Sequence, residues 1–463
     1  MVKIEFPMSR ETIATITTPI GEGGISVIQV SGPHSLLIVN AVFRGKKQKD
    51  LRNAVSKRLY YGEIYENGNT IDEVIVNVLR KKDSFTGEDL VEVNCHGGIL
   101  AVKKTLECIV SAGAKKAHWV ELTRCALTNS QIDLIQKEAL IEIPQAKTRL
   151  GAKILLDQYN SALSSFIINL IIWIDNVKNI RSCETTSSRT SISDGHLWQE
   201  KLYYIHDKLE EILETAAFGC AITSPQRLII TGKPNVGKST LINALLKEER
   251  SIVHAEPGTT SDAVDSMISI DGIPLTIIDT AGIRETSHKV EELGVLESKR
   301  QLKQADKIMF ILDNSKPIEK EDKELMKFIL DKLRQYKTDN NFDKVPVVTV
   351  VNKIDLPRKL NLSALEEEQL NPICRISAIK GDGISRLEEN LIAKFKKYTE
   401  YVPKRPIIFT KRQQKNISNA FYTSEQYIQL IKEGKNVNNH LGLLNDIKQS
   451  LHNCIRNSQD KIA

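Results

Sequence analysis

The clearest chemistry in the sequence lies in a glycine-rich segment between a β-branched run and the start of a helix. The segment reads LIITGKPNVGKSTLINAL, and Gly232 to Ser239 satisfy the pattern G-x-x-x-x-G-K-[ST]. A loop of backbone N–H groups that leads into a helix N-terminus binds dense negative charge, so we expect it to hold nucleotide phosphates. Lys238 is expected to reach the outer phosphates and the Ser239 hydroxyl to bind Mg²⁺. The nucleotide-binding residues predicted here are Asn235, Val236, Gly237, Lys238, Ser239 and Thr240.

Two shorter segments downstream predict the rest of the phosphate and Mg²⁺ site. PGTTSD precedes the next predicted strand, and we expect the Thr260 hydroxyl in the Mg²⁺ shell and Thr259 beside the nucleotide. DTAG follows the strand LTII, and its Asp279 is expected near Mg²⁺. A backbone N–H of this segment is expected at the terminal phosphate. The predicted residues are Asp279, Thr280, Ala281 and Gly282.

A fourth segment predicts the base. NKID follows the strand VVTVV, and its Asp355 carboxylate can accept two hydrogen bonds from the Watson–Crick edge of guanine. Adenine presents an acceptor there and would leave the charge unpaired, so GTP is preferred over ATP. Asn352 is expected at the opposite edge of the base and Lys353 along its face. ISAIKGDG, with Ser377 and the backbone amide of Ala378, is expected to complete the pocket.

The segment after Gly282 lacks a residue that signalling GTPases use in catalysis. It reads IRETSHKVEELG, without the glutamine that orients the attacking water in those proteins. Another group must therefore position the water if the chain hydrolyses GTP.

The elements around these segments predict a multidomain α/β protein. From Arg227 onward, short β-branched runs alternate with helices, which indicates βαβ units and a mostly parallel sheet. Apolar residues at three-to-four spacing before and after this region predict one discontinuous helical domain with the P-loop domain inserted into it. The N-terminal part reads as α+β. The predicted domains are 1–125 (N-terminal), 126–222 (helical, first part), 223–400 (P-loop) and 401–463 (helical, second part).

Two local features of the first helical part carry their own predictions. The apolar run from Phe166 to Ile174 is too short to span a membrane and predicts a buried helix. The Ser/Thr-rich stretch from Ser182 to Gly195 predicts a loop.

Composition sets the broad class. The 463 residues include 64 Lys and Arg against 58 Asp and Glu, a charge of +6 that permits binding to a polyanion such as RNA without requiring it. Seven scattered cysteines without a C-x-x-C pair predict a reduced chain with neither a disulfide framework nor a zinc site. With no secretory signal and no spanning segment in view, we expect a cytoplasmic protein that does not enter a membrane.

The flanking regions resemble one family. TIATITTPIGEGGISVIQVSGP, SFTGEDLVEVNCHGG and ELTRCALTNSQIDLIQKEA are similar to the tRNA modification GTPases of the MnmE (TrmE) family. The resemblance implies an N-terminal domain that forms a homodimer and binds a tetrahydrofolate derivative, with Gln29, Glu88 and Gln131 as candidate folate residues. It also implies an FAD-containing partner of the MnmG (GidA) type. Together they would add a carboxymethylaminomethyl-type group to C5 of the wobble uridine of certain tRNAs.

The same resemblance supplies a candidate for the missing catalytic groups. It implies a K⁺ ion bound by Asn235 that stabilises the transferring phosphoryl group, and, through the pattern V-E-x-[IL]-G, a water-positioning role for Glu291. The alternatives are that Asn235 caps its own turn and that the water is handled by Glu292, which from the residues alone is not distinguished from Glu291. The predicted catalytic set is Glu291, Lys238 and Asn235.

Several positions depart from the family pattern and leave a second function open. Gln29 and Cys125 stand where arginines are usual, Ser261 replaces the arginine of GTTRD, and a C-terminal C-x-G-K tail is not visible. The alternative is therefore a GTP-regulated binding protein of the same fold that has lost the modification chemistry. A ribosome-assembly GTPase is disfavoured, since the N-terminal matches would then be coincidence.

Overall fold

The computed structural model describes residues 11–47, 50–129, 132–186, 194–246, 266–279, 305–339, 347–361, 370, 372–434 and 441–456. The chain divides into two compact units. The first comprises Met1–Pro144, Tyr159–Ile168 and Leu451–Ala463, and the second Gln145–Gln158 and Asn169–Ser450.

The first unit is built on a mixed sheet that has seven strands within the described residues. The strands are β1 (Ile13–Ile16), β2 (Ile25–Ser31), β3 (Phe43–Gly45), β4 (Arg58–Glu66), β5 (Asn69–Leu79), β6 (Leu90–His96) and β7 (Lys115–Lys116). Their spatial order is β3-β4-β5-β6-β2-β1-β7, and all neighbours are antiparallel except β1 and β7. The helices are α1 (Ser35–Val42), α2 (Ile99–Ser111), α3 (Trp119–Thr128) and α4 (Leu134–Glu142).

The two faces of this sheet differ in polarity because side chains alternate along each strand. Val74, Val76 and Val78 of β5 are buried with α1 and α2 in one apolar core. The opposite face carries exposed Tyr61 and Ile75, which are direct cross-strand neighbours. The sheet thus has one covered face and one open face with apolar side chains.

The second unit contains a predominantly parallel sheet, as the sequence predicts. Its strands are β8 (Gln226–Thr231), β9 (Ser266–Ile270), β10 (Ile273–Asp279), β11 (Lys307–Asp313), β12 (Val347–Asn352) and β13 (Ile373–Arg375). Their order is β13-β12-β11-β8-β10-β9, and only β9 and β10 pair antiparallel. The helices that belong to this region are α9 (Lys238–Leu246), α10 (Lys320–Asp339) and α11 (Ile384–Ile392).

Burial on both faces explains the continuous apolar runs of the central strands. In β8, Leu228 and Ile230 belong to one core with α9 and α11, whereas Ile229 faces a second core with α10. Every residue of β11 and β12 is buried. Because β8, β11 and β12 are parallel neighbours, their carboxyl ends meet at one edge of the sheet, where nucleotides bind in such sheets.

The remaining α-helices among the described residues are α5 (Arg149–Tyr159), α6 (Ala162–Thr186), α7 (Asp194–Leu213), α8 (Ala216–Thr223), α12 (Lys411–Lys432) and α13 (Leu441–Ile455). Segments from before and after the parallel sheet pack together. The His206 ring of α7 stacks on Phe421 of α12 at 4.6 Å and hydrogen-bonds the Ser424 hydroxyl at 2.9 Å. Lys448 of α13 pairs with Asp175 of α6 at 2.7 Å. Helical segments that precede and follow the parallel sheet in sequence therefore contact each other.

Two local predictions for α6 were only partly right. Ile167 and Ile174 are buried, but Ile168 and Ile172 are about half exposed, so the apolar run covers more than the buried face. Of the stretch expected to form a loop, Ser182 to Thr186 belong to α6 and Asp194 and Gly195 belong to α7, and residues 187–193 lie outside the described part of the chain. An existing helix gains one hydrogen bond per added residue, which outweighs the weak preference of Ser and Thr for loops.

No single helix among the described residues is long and apolar enough to cross a membrane. Arg149–Tyr159 and Ala162–Ile180, which meet at a bend of 42°, reach that length and apolarity only as a pair.

Candidate nucleotide-binding site

The phosphate loop joins β8 to α9 in a conformation that its glycines permit. Gly232 has φ +154°, and a Cβ there would lie 2.5 Å from the Ile311 carbonyl. Gly237 has φ +98°, and a Cβ there would collide with the Asn352 amide. Asn235 adopts a left-handed φ of +64°, which asparagine tolerates better than most residues. The loop thus places a polar side chain where most residues would be strained.

Lys238 begins α9 and points back into the loop. Its side chain is buried, and Nζ donates to the carbonyls of Gly232 at 2.8 Å and Lys233 at 2.7 Å. The following Ser239 and Thr240 are exposed in the first helical turn. The N-terminus of α9 therefore offers a fixed ammonium group, two accessible hydroxyls and the partial positive charge of the helix dipole.

Asn352, at the end of β12, connects the phosphate loop to the predicted base pocket. It is almost fully buried; its Nδ2 donates to the Val236 carbonyl at 2.9 Å, and its Oδ1 accepts from the Ala378 amide at 3.0 Å. One side chain thus fixes two loops that are far apart in sequence.

Lys353 reaches the phosphate loop from the same segment. Its Nζ donates to the Asn235 carbonyl at 2.7 Å and pairs with Asp313 Oδ2 at 2.8 Å. Asp313 ends β11, and its other carboxylate oxygen accepts from the amide and hydroxyl of Ser315 at 2.9 and 2.7 Å. Burial opposes the charge on Asp313, but the hydrogen bonds from Lys353 and Ser315 outweigh it and hold its pKa below the usual value.

The Asp355 carboxylate is oriented by a hydrogen bond from Ser377. Its Oδ1 accepts from the Ser377 hydroxyl at 2.7 Å, and this hydrogen bond is the main reason why the Asp355 pKa lies below its usual value. Ser377 is fully buried, and its amide donates to the Asp382 carbonyl at 2.9 Å. The carboxylate is therefore ionised at neutral pH and fixed in orientation.

Three ion pairs at the site were missed by the sequence reasoning. Lys233 of the phosphate loop pairs with Glu319 and Asp322 at the start of α10, both at 2.7 Å, and Asp313 pairs with Lys353. The sequence offered one signal for Asp313, because this aspartate ends the apolar run IMFILD. The strands LIIT and VVTVV, which flank that run in the sheet, both lead into predicted site loops.

The predicted Mg²⁺ ligands are only partly within the described residues. The Ser239 hydroxyl is exposed at the loop, and β10 pairs with β8 in a register that sets Asp279 opposite Ile230, at the carboxyl edge of the sheet. An accessible hydroxyl and a carboxylate position at one edge fit a hard divalent cation. Thr259, Thr260, Thr280, Ala281, Gly282 and Glu291 lie outside the described residues.

The candidate folate residues lie in the first unit. Gln29 of β2 donates from Nε2 to Glu92 Oε1 of β6, and Asn77 of β5 donates to Glu92 Oε2, both at 2.8 Å. These three residues are direct cross-strand neighbours on the open face of the sheet, and sequence reasoning did not single out Glu92. Glu88 lies in the loop before β6, next to a cavity of about 450 Å³ lined by Arg80, Lys81, Lys82, Gly87 and Asp89. Gln131 lies outside the described residues.

Two family models, several relatives and a solved structure are similar to this chain. The model of the GTP-binding protein TrmE N-terminus matches residues 12–131, and that of the 50S ribosome-binding GTPase matches residues 227–353. A tRNA modification GTPase MnmE from Pediococcus pentosaceus is 37% identical, over 91% of this chain and 86% of that protein. The MnmE of Geobacillus kaustophilus is 36% identical over 82% and 80%. A solved structure of an Era variant from Aquifex aeolicus bound to GDP and AlF4⁻ is 29% identical, covers 43% of this chain and 66% of that chain, and has a TM-score of 0.27.

Both matched regions, and the relatives that span most of the chain, point to one group of GTP hydrolases. The chain belongs to the MnmE family of tRNA modification GTPases.

Proposed function

We propose that this protein hydrolyses GTP in a Mg²⁺- and K⁺-dependent way and, with an FAD-containing partner of the MnmG type, helps to add a carboxymethylaminomethyl-type group to C5 of the wobble uridine of certain tRNAs. The observation that carries the proposal is the double contact of Asn352, which joins the phosphate loop at Val236 to the base pocket at Ala378. The relatives named as tRNA modification enzymes support the RNA substrate.

Guanine is selected by a fixed carboxylate. Ser377 orients Asp355 and keeps it ionised, so it accepts hydrogen bonds from the N1–H and the exocyclic amino group of guanine. Adenine offers no such pair of donors, and binding it would leave the charge uncompensated. The stem of Lys353 is proposed to cover one face of the base.

Phosphates are bound by the loop from Gly232 to Ser239. Its backbone N–H groups and the α9 N-terminus receive the negative charge, and Lys238 moves from the loop carbonyls to the outer phosphates. Ser239, with Thr260 and Asp279, is proposed to hold Mg²⁺, which would neutralise the negative charge that develops on the phosphates. The remaining nucleotide contacts proposed are those of Val236, Gly237, Thr240, Thr259, Thr280, Ala281 and Gly282.

Asn235 fits an alkali cation because its side chain is exposed at the mouth of the loop while its own carbonyl is held by Lys353. An amide oxygen is a hard, neutral ligand, and a K⁺ ion there would supply positive charge to the transition state. Glu291 is proposed to position the water that attacks the γ-phosphorus as the bond to the β–γ bridging oxygen breaks. Direct contact of this carboxylate with the phosphates would be repulsive, so it acts on the water.

The first unit supports two further parts of the proposal. Exposed Leu59, Tyr61 and Ile75 on its open face suit a homodimer contact, because contiguous apolar surface favours association. Gln29 and Glu92 combine an amide and a carboxylate that suit the donor and acceptor groups of a tetrahydrofolate derivative.

A second function follows from the same observations. Gln29 carries no charge at a position where the family pattern has arginine. The alternative function is a GTP-regulated binding protein that lacks the modification chemistry. Such a protein would have the same nucleotide site. Mass spectrometry of wobble uridines in tRNA from cells that lack the gene separates the two functions. Loss of the C5 group, restored by the wild-type gene but not by a Lys238→Ala variant, supports modification. Intact uridines in the deletion strain would overturn it and leave the binding function.

A further inference from the structure

Asp313 has no role in the nucleotide contacts described so far, yet it lies at their centre. It ends β11 between two strands that lead into the site, β8 with the phosphate loop and β12 with the base-binding segment. Its side chain is only 4% exposed, although a buried carboxylate is costly unless it is paired. A carboxylate buried at this place in the sheet needs a charged or hydrogen-bonding group of the site beside it.

We propose that Asp313 is a positioning residue of the nucleotide site, which orients the Lys353 ammonium group and thereby holds the phosphate loop at Asn235. The path is continuous: Asp313 Oδ2 lies 2.8 Å from Lys353 Nζ, which lies 2.7 Å from the Asn235 carbonyl. The inference deepens the proposed guanine site and rests on it.

The need for such a group follows from the chemistry of lysine. An ammonium group is a compact charge on a flexible four-carbon stem, so it does not keep one orientation by itself. The Lys353 backbone adopts a left-handed φ of +63°, and its Nζ reaches the Asn235 carbonyl in the phosphate loop. Asp313 removes the remaining freedom, because Ser315 fixes the carboxylate from its other side at 2.7 and 2.9 Å.

The consequence is a link between base recognition and phosphate binding. Lys353 is proposed to cover the base with its stem while its ammonium group holds the loop carbonyl. Asp313 itself is not proposed to contact GTP or GDP. Its loss would therefore weaken the binding of both nucleotides indirectly, through Lys353. A residue that merely stabilised the fold would lower the melting temperature and would not act through Lys353.

A double-mutant cycle on GDP affinity tests the inference, with fluorescent GDP titrated against the full-length chain. Asp313→Ala is expected to weaken GDP binding about tenfold, as loss of a charged hydrogen bond does. Lys353→Met, which keeps the stem, is expected to weaken it at least as much. The double variant should bind within about twofold of Lys353→Met alone, because both changes remove one shared interaction.

One control variant and one replacement variant accompany the cycle. Asp306→Asn removes a carboxylate charge at the opposite end of β11 and should leave GDP binding unchanged. If Asp313→Ala does not fold by circular dichroism, Asp313→Leu, which removes both acceptor oxygens at similar side-chain size, takes its place in the cycle. Losses that multiply in the double variant, or wild-type affinity in a folded Asp313 variant, would overturn this inference alone. Failure of the wild type to bind GDP would overturn both it and the proposed guanine site.

Discussion

The side-chain amide of Asn352 donates a hydrogen bond to the main-chain carbonyl of Val236 at 2.9 Å, across 116 residues of sequence. The same side chain accepts from Ala378 at 3.0 Å. A single buried amide therefore joins the proposed phosphate loop to the loop at Ala378 that is proposed to complete the base pocket.

Replacing Asn352 by alanine should damage both binding and folding. The change leaves the Val236 carbonyl and the Ala378 amide without this partner in a buried region, which costs about 1–3 kcal/mol for each unsatisfied group. We expect a lower free energy of unfolding in urea and a loss of GDP affinity of roughly a hundredfold. Wild-type affinity in the variant would remove Asn352 from the site.

Changing Asp355 to asparagine should change the base that is bound. An amide offers one donor and one acceptor, which matches the C2 carbonyl and N1–H of xanthine rather than the two donors of guanine. The variant should lose GTP affinity by roughly two orders of magnitude or more and gain affinity for XTP. Competition between GTP and XTP measures this exchange, and an unchanged preference for GTP would refute the assignment of Asp355 to the base.

Adding one methyl group at Gly237 should prevent nucleotide binding. The φ of +98° is strained for alanine, and the new Cβ would collide with the Asn352 amide. We expect Gly237→Ala to lower stability by about 2 kcal/mol and to abolish measurable GDP binding. Gly442→Ala is the matched control, since a Cβ there has no atom within 4 Å and should leave both properties intact.

The buried Lys307 gives stability a defined pH dependence. It opens β11, donates to the Leu391 carbonyl, and burial, helped by the nearby positive charge of Lys394, lowers its pKa to about 8 from the usual 10.5. The unfolded chain keeps this proton to higher pH than the folded chain, so deprotonation favours folding. The wild type should therefore gain stability relative to Lys307→Met as the pH rises from about 8 to 10.5. A constant difference across that range, from urea unfolding at each pH, would show that Lys307 titrates normally.

The sequence predicts local patterns well because their residues are close in the chain. The phosphate loop from Gly232 to Ser239 and the mostly parallel sheet follow from glycine spacing and β-branched runs, and the structure has both. Contacts between distant residues have no such signal: Asp313 and Lys353 are 40 residues apart, and Gln29 and Glu92 are 63 apart. Register across strands decides these pairs, and a shift of one residue would send each side chain to the other face.

In the proposed reaction, K⁺ bound near Asn235 supplies positive charge for GTP hydrolysis. GTP turnover by the full-length protein in K⁺ and in Na⁺, at equal ionic strength, measures this contribution. We expect near-complete loss of turnover when Na⁺ replaces K⁺, and slow turnover in both salts for Asn235→Ala. Equal turnover of the wild type in Na⁺ and K⁺ would contradict it.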